Sequence, residues 1–306
     1  MSGERAYCDW IAVDWGTSHL RAYAIAGDGA VKAEAASQKG MGVLAPEEFE
    51  PALLEIIAPW LGDQPMDIMA CGMVGSRQGW TEAPYQQAPC KPLDASFAVP
   101  QVRDPRLNVR IVPGVKQLSP AADVMRGEET QIAGFLACHP RFDGILCLPG
   151  THTKWVEVSA GEIVSFQTYM TGEMFALLSK QSVLRHSVQT DAWDAEAFAD
   201  ALADTLSRPE RLAARLFGLR AGGLVADLTP AQARAQLSGL LIGAELAGAR
   251  PYWLGRQIAL VGAPALTDLY ASALKAQGVT PLCEEGAKMT LAGLAAARDS
   301  LKEGSK

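Results

Sequence analysis

Apolar positions along the chain fall in short runs separated by glycine and polar residues, and the earliest runs alternate with polar positions at the period of two expected of strands. Strands are predicted near 8–14, 20–26 and 30–35. The period then lengthens, and Phe49, Leu53, Ile57 and Trp60 form one stripe of a predicted helix near 46–61. Asp67-Ile68-Met69-Ala70-Cys71 and Asn108-Val109-Arg110-Ile111-Val112 read as two further short strands. Between them lies a loop-rich stretch with Pro84, Pro89, Pro92, Pro100 and Pro105, which reads as a substrate-binding insertion.

A helix is predicted from Pro120 to about Cys138, where His139-Pro140 ends it, and a second set of strands begins at Gly144. The 181–228 region is helical by pattern and rich in Ala, Asp and Arg. Thr229-Pro230 supplies an N-cap and a first-turn proline to a helix that carries Leu237, Leu240, Leu241 and Ala244 and reaches about Ala249. A fully apolar strand at 258–262 precedes a helix over 265–277, ended by Gly278. The last predicted helix, about 285–301, is expected to pack back on the first lobe. The boundary falls near 118–122, giving an N-terminal lobe of 1–119 and a C-terminal lobe of 120–306.

One feature repeats across that boundary. Val13-Asp14-Trp15-Gly16-Thr17-Ser18-His19 and Leu148-Pro149-Gly150-Thr151-His152-Thr153-Lys154 each follow an apolar run, and an offset of 134 residues aligns Gly16 with Gly150, Thr17 with Thr151 and Gly27 with Gly161. Glycine admits positive φ and close backbone approach, and threonine places a hydroxyl beside amides that bind phosphate oxygens. One Gly-Thr pair alone is an ordinary hairpin turn. Two with matched flanking strands point to a two-lobed phosphate clamp.

Composition narrows the function. A chain of 306 residues accommodates two lobes, each with its own core. The hydrophobic fraction of 49% and charged fraction of 20% are those of a soluble globular protein, and no apolar stretch is long enough to span a bilayer. No secretory signal is evident at the N-terminus, so a cytoplasmic location without membrane partners is expected. A net charge of −7 and the lack of a basic tract with interleaved aromatics argue against nucleic-acid binding. Cys8, Cys71, Cys90, Cys138, Cys147 and Cys283 have no C-x-x-C or zinc-like spacing and read as reduced core residues. The P-loop, the dinucleotide fingerprint and the H-E-x-x-H zinc site are all absent. The pattern leaves the oligomeric state open.

The two turns, the β-β-β-α opening and the 258–278 segment together resemble the sugar kinase/actin/Hsp70 ATPase superfamily. Asp14-Trp15-Gly16-Thr17-Ser18, Gly72-Met73-Val74-Gly75-Ser76-Arg77-Gln78-Gly79-Trp80, Arg126-Gly127-Glu128-Glu129-Thr130-Gln131 and Leu148-Pro149-Gly150-Thr151-His152-Thr153-Lys154-Trp155 more closely resemble the 2-dehydro-3-deoxygalactonokinases. The resemblance implies an α/β fold of two ribonuclease H-like lobes with an inter-lobe cleft. It also implies ATP-dependent phosphorylation of a sugar acid, 2-dehydro-3-deoxy-D-galactonate, at its 6-hydroxyl in galactonate catabolism, with Mg²⁺ as the metal. A phosphohydrolase of the same superfamily, exopolyphosphatase-like, and a nucleotide-sensing module without chemistry are the competing readings.

Phosphoryl transfer requires a hold on the polyphosphate, a placed magnesium ion and an acceptor hydroxyl in line with the γ-phosphorus. Gly16, Thr17, Ser18, Gly150, Thr151 and Thr153 offer amides and hydroxyls to the phosphates, and Lys154 is either an added positive charge or a solvated strand residue. Asp14 suits a magnesium-bound water, or else caps its turn. Related sugar kinases carry a Gly-Asp pair at the start of the inter-lobe helix, whose Asp takes the acceptor proton. Glu128 stands at the matching position and is favoured as the base, with Glu129 and Asp14 as alternatives; both glutamates would also suit the positive end of a helix dipole.

Ser76, Arg77 and Gln78 offer a hydroxyl, a bidentate guanidinium and an amide to the sugar acid, although Arg77 would equally tether the proline-rich loop. Lys116, Gln117 and Glu129, and Thr171-Gly172-Glu173 from the second lobe, are further substrate candidates. Adenosine is expected near Gly262, Ala263 and Leu266, where a strand ends in a small-residue turn before a helix. His19 and His152 flank the two turns and read as local hydrogen-bonding residues.

Overall fold

The structure, a computed structural model, describes residues 6–93 and 96–303. The chain opens with β1 (Trp10–Trp15), β2 (Leu20–Ile25) and β3 (Val31–Ser37), followed by α1 (Phe49–Ile57) and β4 (Met66–Cys71). Then come β5 (Gln86–Gln87), β6 (Leu107–Ile111), β7 (Val115–Gln117), β8 (Asp123–Met125) and α2 (Glu128–Cys138). The second half begins with β9 (Gly144–Leu148), β10 (Thr153–Ser159) and β11 (Glu162–Tyr169), then α3 (Thr171–Lys180), α4 (Ala195–Ser207), α5 (Leu212–Val225) and α6 (Pro230–Gly248). It ends with α7 (Arg250–Trp253), β12 (Ile258–Gly262), α8 (Pro264–Lys275), β13 (Leu282–Glu285) and α9 (Gly286–Glu303).

Two five-stranded sheets repeat one strand order, β3-β2-β1-β4-β6 and β11-β10-β9-β12-β13. In the first, β1, β2 and β3 are antiparallel neighbours, and β4 and β6 join in parallel. In the second, β12 runs parallel to both β9 and β13. This doubled α/β arrangement is the ribonuclease H-like, actin-like ATPase type implied by the sequence motifs. Packing groups the chain up to Phe142 with Val158–Ser165 and the chain from Gly286 onward as one compact unit, and Asp143–Glu157 with Phe166–Glu285 as the other.

This grouping differs from a division at 119/120, and the reason lies in two glycines. A Cβ on Gly134 of α2 would sit 1.9 Å from the Met289 carbonyl oxygen, and one on Gly293 of α9 would sit 1.9 Å from that of Thr130. The two helices therefore cross backbone against backbone. From that crossing α9 lays Leu294 and Ala297 onto Trp10, Ala12, Met69 and Cys71 of the first sheet. On the opposite face, α1 buries Phe49, Leu53 and Ile57 against Ile11, Val13 and Ile68, each side chain contributing about 1.5–3 kcal/mol.

The helix expected from Pro120 begins only at Glu128. Residues 123–125 instead pair with β7 as the third strand of a small β5-β7-β8 sheet, and Gly127, at φ +104°, turns the chain into the helix. These strands are two or three residues long, too short to show a period.

In the second unit, α6 starts at the predicted Thr229 cap, which forms a capping box with Gln232. Gly239 and Gly243 let α4 approach it closely: their Cβ atoms would lie 2.4 and 2.6 Å from the Phe198 and Leu202 carbonyl oxygens. No helix among the described residues is long and apolar enough to cross a membrane. None of the six cysteines, all among the described residues, forms a disulfide, and Cys138 and Cys283 are exposed and so are not core residues.

Candidate active site

The first turn hangs between β1 and β2, whose register places Asp14 opposite Arg21 and Trp15 opposite Leu20. Its carbonyls are tied from behind: the Met41 amide donates to the Gly16 oxygen at 3.0 Å and the Gly42 amide to the Thr17 oxygen at 2.9 Å. Gly40 makes this possible, since a Cβ there would lie 2.3 Å from the Thr17 carbonyl oxygen. The Thr17 and Ser18 amides point to no acceptor among the described residues, and both residues are exposed. Such adjacent free amides form an anion-binding concavity.

The second turn is braced in the same way. The Glu173 amide donates to the Thr151 oxygen at 2.9 Å, and Gly172 fits where a Cβ would be 2.3 Å from the Gly150 oxygen. His152, with its ring nitrogen 2.6 Å from the Glu173 carboxylate, is the local hydrogen-bonding residue expected. Neither Gly16 nor Gly150 has positive φ, so of the two properties of glycine only close approach can apply to them. A Cβ on Gly150 would meet nothing within 4 Å, and one on Gly16 only the His19 oxygen at 3.9 Å. Nothing inside the protein demands glycine at either place.

Asp14, Glu128 and Glu129 all lie near enough to the Cys71 thiol for their charges to act on it. Asp14 lies beside Cys71 in the parallel β1–β4 register and is held by Arg21 at 3.6 Å. Burial raises the Asp14 pKa, against the lowering effect of Arg21. The Cys71 thiol is pushed well up, first by burial and then by the charges of Asp14, Glu129 and Glu128, so all three groups act on one point. The helix that carries the glutamates is brought there by two glycines: a Cβ on Gly72, at φ +92°, would lie 2.8 Å from the Trp15 oxygen, and one on Gly127 would lie 3.3 Å from the Gly72 Cα.

The two glutamates differ. Glu128 is half-buried, and its carboxylate accepts the Arg126 amide at 3.0 Å. Glu129 is fully buried, accepting from the Gly127 amide at 2.7 Å and from the Thr130 hydroxyl at 3.0 Å. Burial and the neighbouring Glu128 charge push its carboxyl up to about 8. Glu129 is thus removed from the surface where a substrate would bind, because the helix start wraps around its carboxyl group.

In the second unit a cavity of 610 Å³ opens at the second turn, lined by Gly150, Thr151, Thr171 and Gly172 together with side chains of α3, α6 and α8. Leu266 is among its lining residues. Gly262 instead sits behind the turn, where a Cβ would be 3.3 Å from the Pro149 oxygen, and Ala263 is the exposed N-cap residue of α8.

A family model described as 2-keto-3-deoxy-galactonokinase matches residues 14–297. The chain belongs to this family. It is 39% identical over 293 residues, 94% of this chain and 96% of the other, to a Rhizobium meliloti protein named a probable 2-dehydro-3-deoxygalactonokinase. With the Escherichia coli 2-dehydro-3-deoxygalactonokinase it shares 36% identity over 88% of this chain and 90% of that one. A crystal structure of a candidate 2-dehydro-3-deoxygalactonokinase from Sinorhizobium meliloti superposes with a TM-score of 0.87 at 38% identity, covering 95% of this chain and 99% of the other. Family membership over nearly the whole chain favours the kinase reading above the phosphohydrolase and the sensor.

Several residues assigned by motif stand differently in this family member. Thr153 is fully buried, its hydroxyl 3.2 Å from that of Tyr270, so it supports the second turn from beneath. Lys154 is also buried, its ammonium donating to the Thr168 hydroxyl at 2.8 Å, which rules out a solvated strand residue. Ser76 is buried too, whereas Arg77, 81% exposed and 3.7 Å from Glu82, and Gln78 face solvent. Lys116 is half-buried in the middle of β7.

Motif reading passed over Arg126, Trp193, Arg234 and Glu245. Arg126 is buried over the Tyr85 ring at 4.3 Å and donates to the Ala83 oxygen at 2.8 Å, clamping the 72–85 loop to the start of α2. Trp193 and Arg234 line the cavity, with Arg234 stacked over Phe175 at 5.3 Å. No local pattern marks Trp193, Arg234 or Glu245, and Arg126 opens one of the four family motifs but carries no predicted role there.

Proposed function

We propose that this protein transfers the γ-phosphoryl group of ATP to the 6-hydroxyl of 2-dehydro-3-deoxy-D-galactonate, a step of galactonate catabolism in the cytoplasm. The observation that carries the ATP half of this reading is the pair of braced turns whose glycines have no internal cause. In the first unit the exposed Thr17 and Ser18 amides suit phosphate oxygens, and in the second unit the Gly150–Thr151 turn suits them likewise. The 610 Å³ cavity beside the second turn takes the adenosine, with Leu266 on its apolar wall and Arg234 at its polar edge.

Glu128 is the general base. It starts α2 beside Asp14 and Cys71 and remains partly open to solvent, whereas Glu129 is sealed and holds its proton at neutral pH. A protonated, buried carboxyl beside it leaves the half-buried Glu128 as the carboxylate of the pair that can take up the acceptor proton. Ser76, Arg77, Gln78 and Lys116 belong to the segments that receive the sugar acid, with the exposed Arg77 guanidinium exchanging its long contact to Glu82 for the substrate carboxylate.

Asp14 fits Mg²⁺ held through water. The described residues contain no group of three His, Cys, Asp or Glu side chains able to cage a metal, and Mg²⁺ characteristically takes one or two carboxylates together with substrate phosphates and retained waters. When bound, the ion neutralises charge on the transferring phosphoryl oxygens.

The test is ADP release from purified protein with ATP and Mg²⁺, comparing 2-dehydro-3-deoxy-D-galactonate, its gluconate epimer and no acceptor. Release that depends on the galactonate acid is the expected result. Equal release without an acceptor would replace the kinase with a phosphohydrolase.

A further inference from the structure

Glu245 lies in the middle of a buried α6 turn, only 3% exposed, yet it is a carboxylate in a region that otherwise buries leucine and alanine. Four side chains converge on it. Trp155 of β10 donates its indole N–H to Oε1 at 2.8 Å, Tyr270 of α8 donates its hydroxyl to Oε2 at 2.7 Å, and the hydroxyls of Thr153 and Thr171 also hydrogen-bond to the group. Burial raises its pKa and these four hydrogen bonds oppose the rise. A carboxylate offers acceptor sites on both oxygens, and the Trp155 indole and the Tyr270 hydroxyl occupy one on each.

The four groups belong to the parts that shape the second turn. Thr153 closes the turn, and the Gly150 amide approaches its hydroxyl oxygen at 3.5 Å. Thr171 begins α3, whose Gly172 and Glu173 brace Gly150 and Thr151 from the other side. Tyr270 and Thr171 both line the 610 Å³ cavity. A hydrophobic side chain at 245 would fill the same space, but it would leave four buried donors to choose their own rotamers.

We infer that Glu245 is the positioning residue of the nucleotide half-site, its carboxylate locking Thr153, Trp155, Thr171 and Tyr270 so that the Gly150–Thr151 turn and the start of α3 meet the ATP phosphates as one rigid block. The inference rests on the second turn being a phosphate site, as proposed above. It predicts a specific kinetic signature, because loosening the block weakens ATP and leaves the sugar acid, bound by first-unit residues, unaffected.

The experiment measures binding of a non-hydrolysable ATP analogue by calorimetry, and KM for ATP and for the sugar acid, in wild type, Glu245→Gln, Tyr270→Phe and the double variant. Glutamine keeps one acceptor oxygen and turns the other into a donor facing a donor. We expect about tenfold weaker analogue binding for Glu245→Gln and about threefold for Tyr270→Phe, a double variant short of the product of the two, and a sugar-acid KM within about twofold of wild type. Analogue affinity within about twofold of wild type in both variants, even with a lowered melting temperature, would reduce Glu245 to a structural residue and overturn the inference. So would an equal rise in both KM values. If Glu245→Gln fails to fold, Tyr270→Phe decides by the same two criteria. A wild-type protein that binds no analogue would instead remove the phosphate-turn reading, and this inference with it.

Discussion

Replacing Glu129 by glutamine deletes a titratable group that the fold holds in its neutral form. In the folded protein its carboxyl is pushed up to about 8 from an ordinary 4.5, chiefly because it is fully buried and secondarily because Glu128 is beside it. The folded state therefore keeps a proton that the unfolded chain releases, and stability falls as pH rises from the unfolded pKa through the folded one. The full displacement corresponds to roughly 5 kcal/mol at 1.36 kcal/mol per pH unit. Between pH 5 and 9.5 the wild type should lose about 4 kcal/mol relative to Glu129→Gln, about 2 kcal/mol of it above pH 6.5. Glutamine has nearly the same shape and can still accept one of the hydrogen bonds from the Gly127 amide or the Thr130 hydroxyl. Urea unfolding of both proteins at half-unit pH intervals reads the difference directly, because other titrating groups are common to both. Parallel stability curves would refute a neutral Glu129, and with it the argument that Glu128 is the open carboxylate of the pair.

Glu128→Gln should lower kcat by about 10²–10⁴ with little change in either KM, as measured by coupled ADP release. Gly150→Ala should leave the melting temperature within about 2 °C of wild type, since a Cβ there meets nothing, and raise the KM for ATP severalfold; a large stability loss with unchanged KM would refute the ligand-approach reading. Gly134→Ala should have the opposite profile, costing about 3 kcal/mol or more in chemical denaturation because its Cβ would collide with the Met289 carbonyl oxygen at 1.9 Å.

Local pattern was sufficient for the strands β1, β2, β4, β6, β9 and β12, for the Thr229 cap of α6 and for the two Gly-Thr turns, because each depends on residues within one element or one turn. It was also sufficient for the family, since the four motifs are contiguous stretches of chain. It misread the segment after Pro120, where β8 exists only through its pairing with β7, and of its two reasons for Gly16 and Gly150 the positive φ is absent. Accessibility and proton affinity were beyond it altogether. Whether a Glu-Glu pair holds two reactive carboxylates or one open and one sealed depends on what covers the start of α2. In the same way, Glu245 becomes a hub only when Trp155, 90 residues away in the chain, and Tyr270, 25 residues away, are folded onto it. Periodicity records which face of an element avoids water; which polar groups then share a buried space is settled by contacts between elements, and only the tertiary structure contains those.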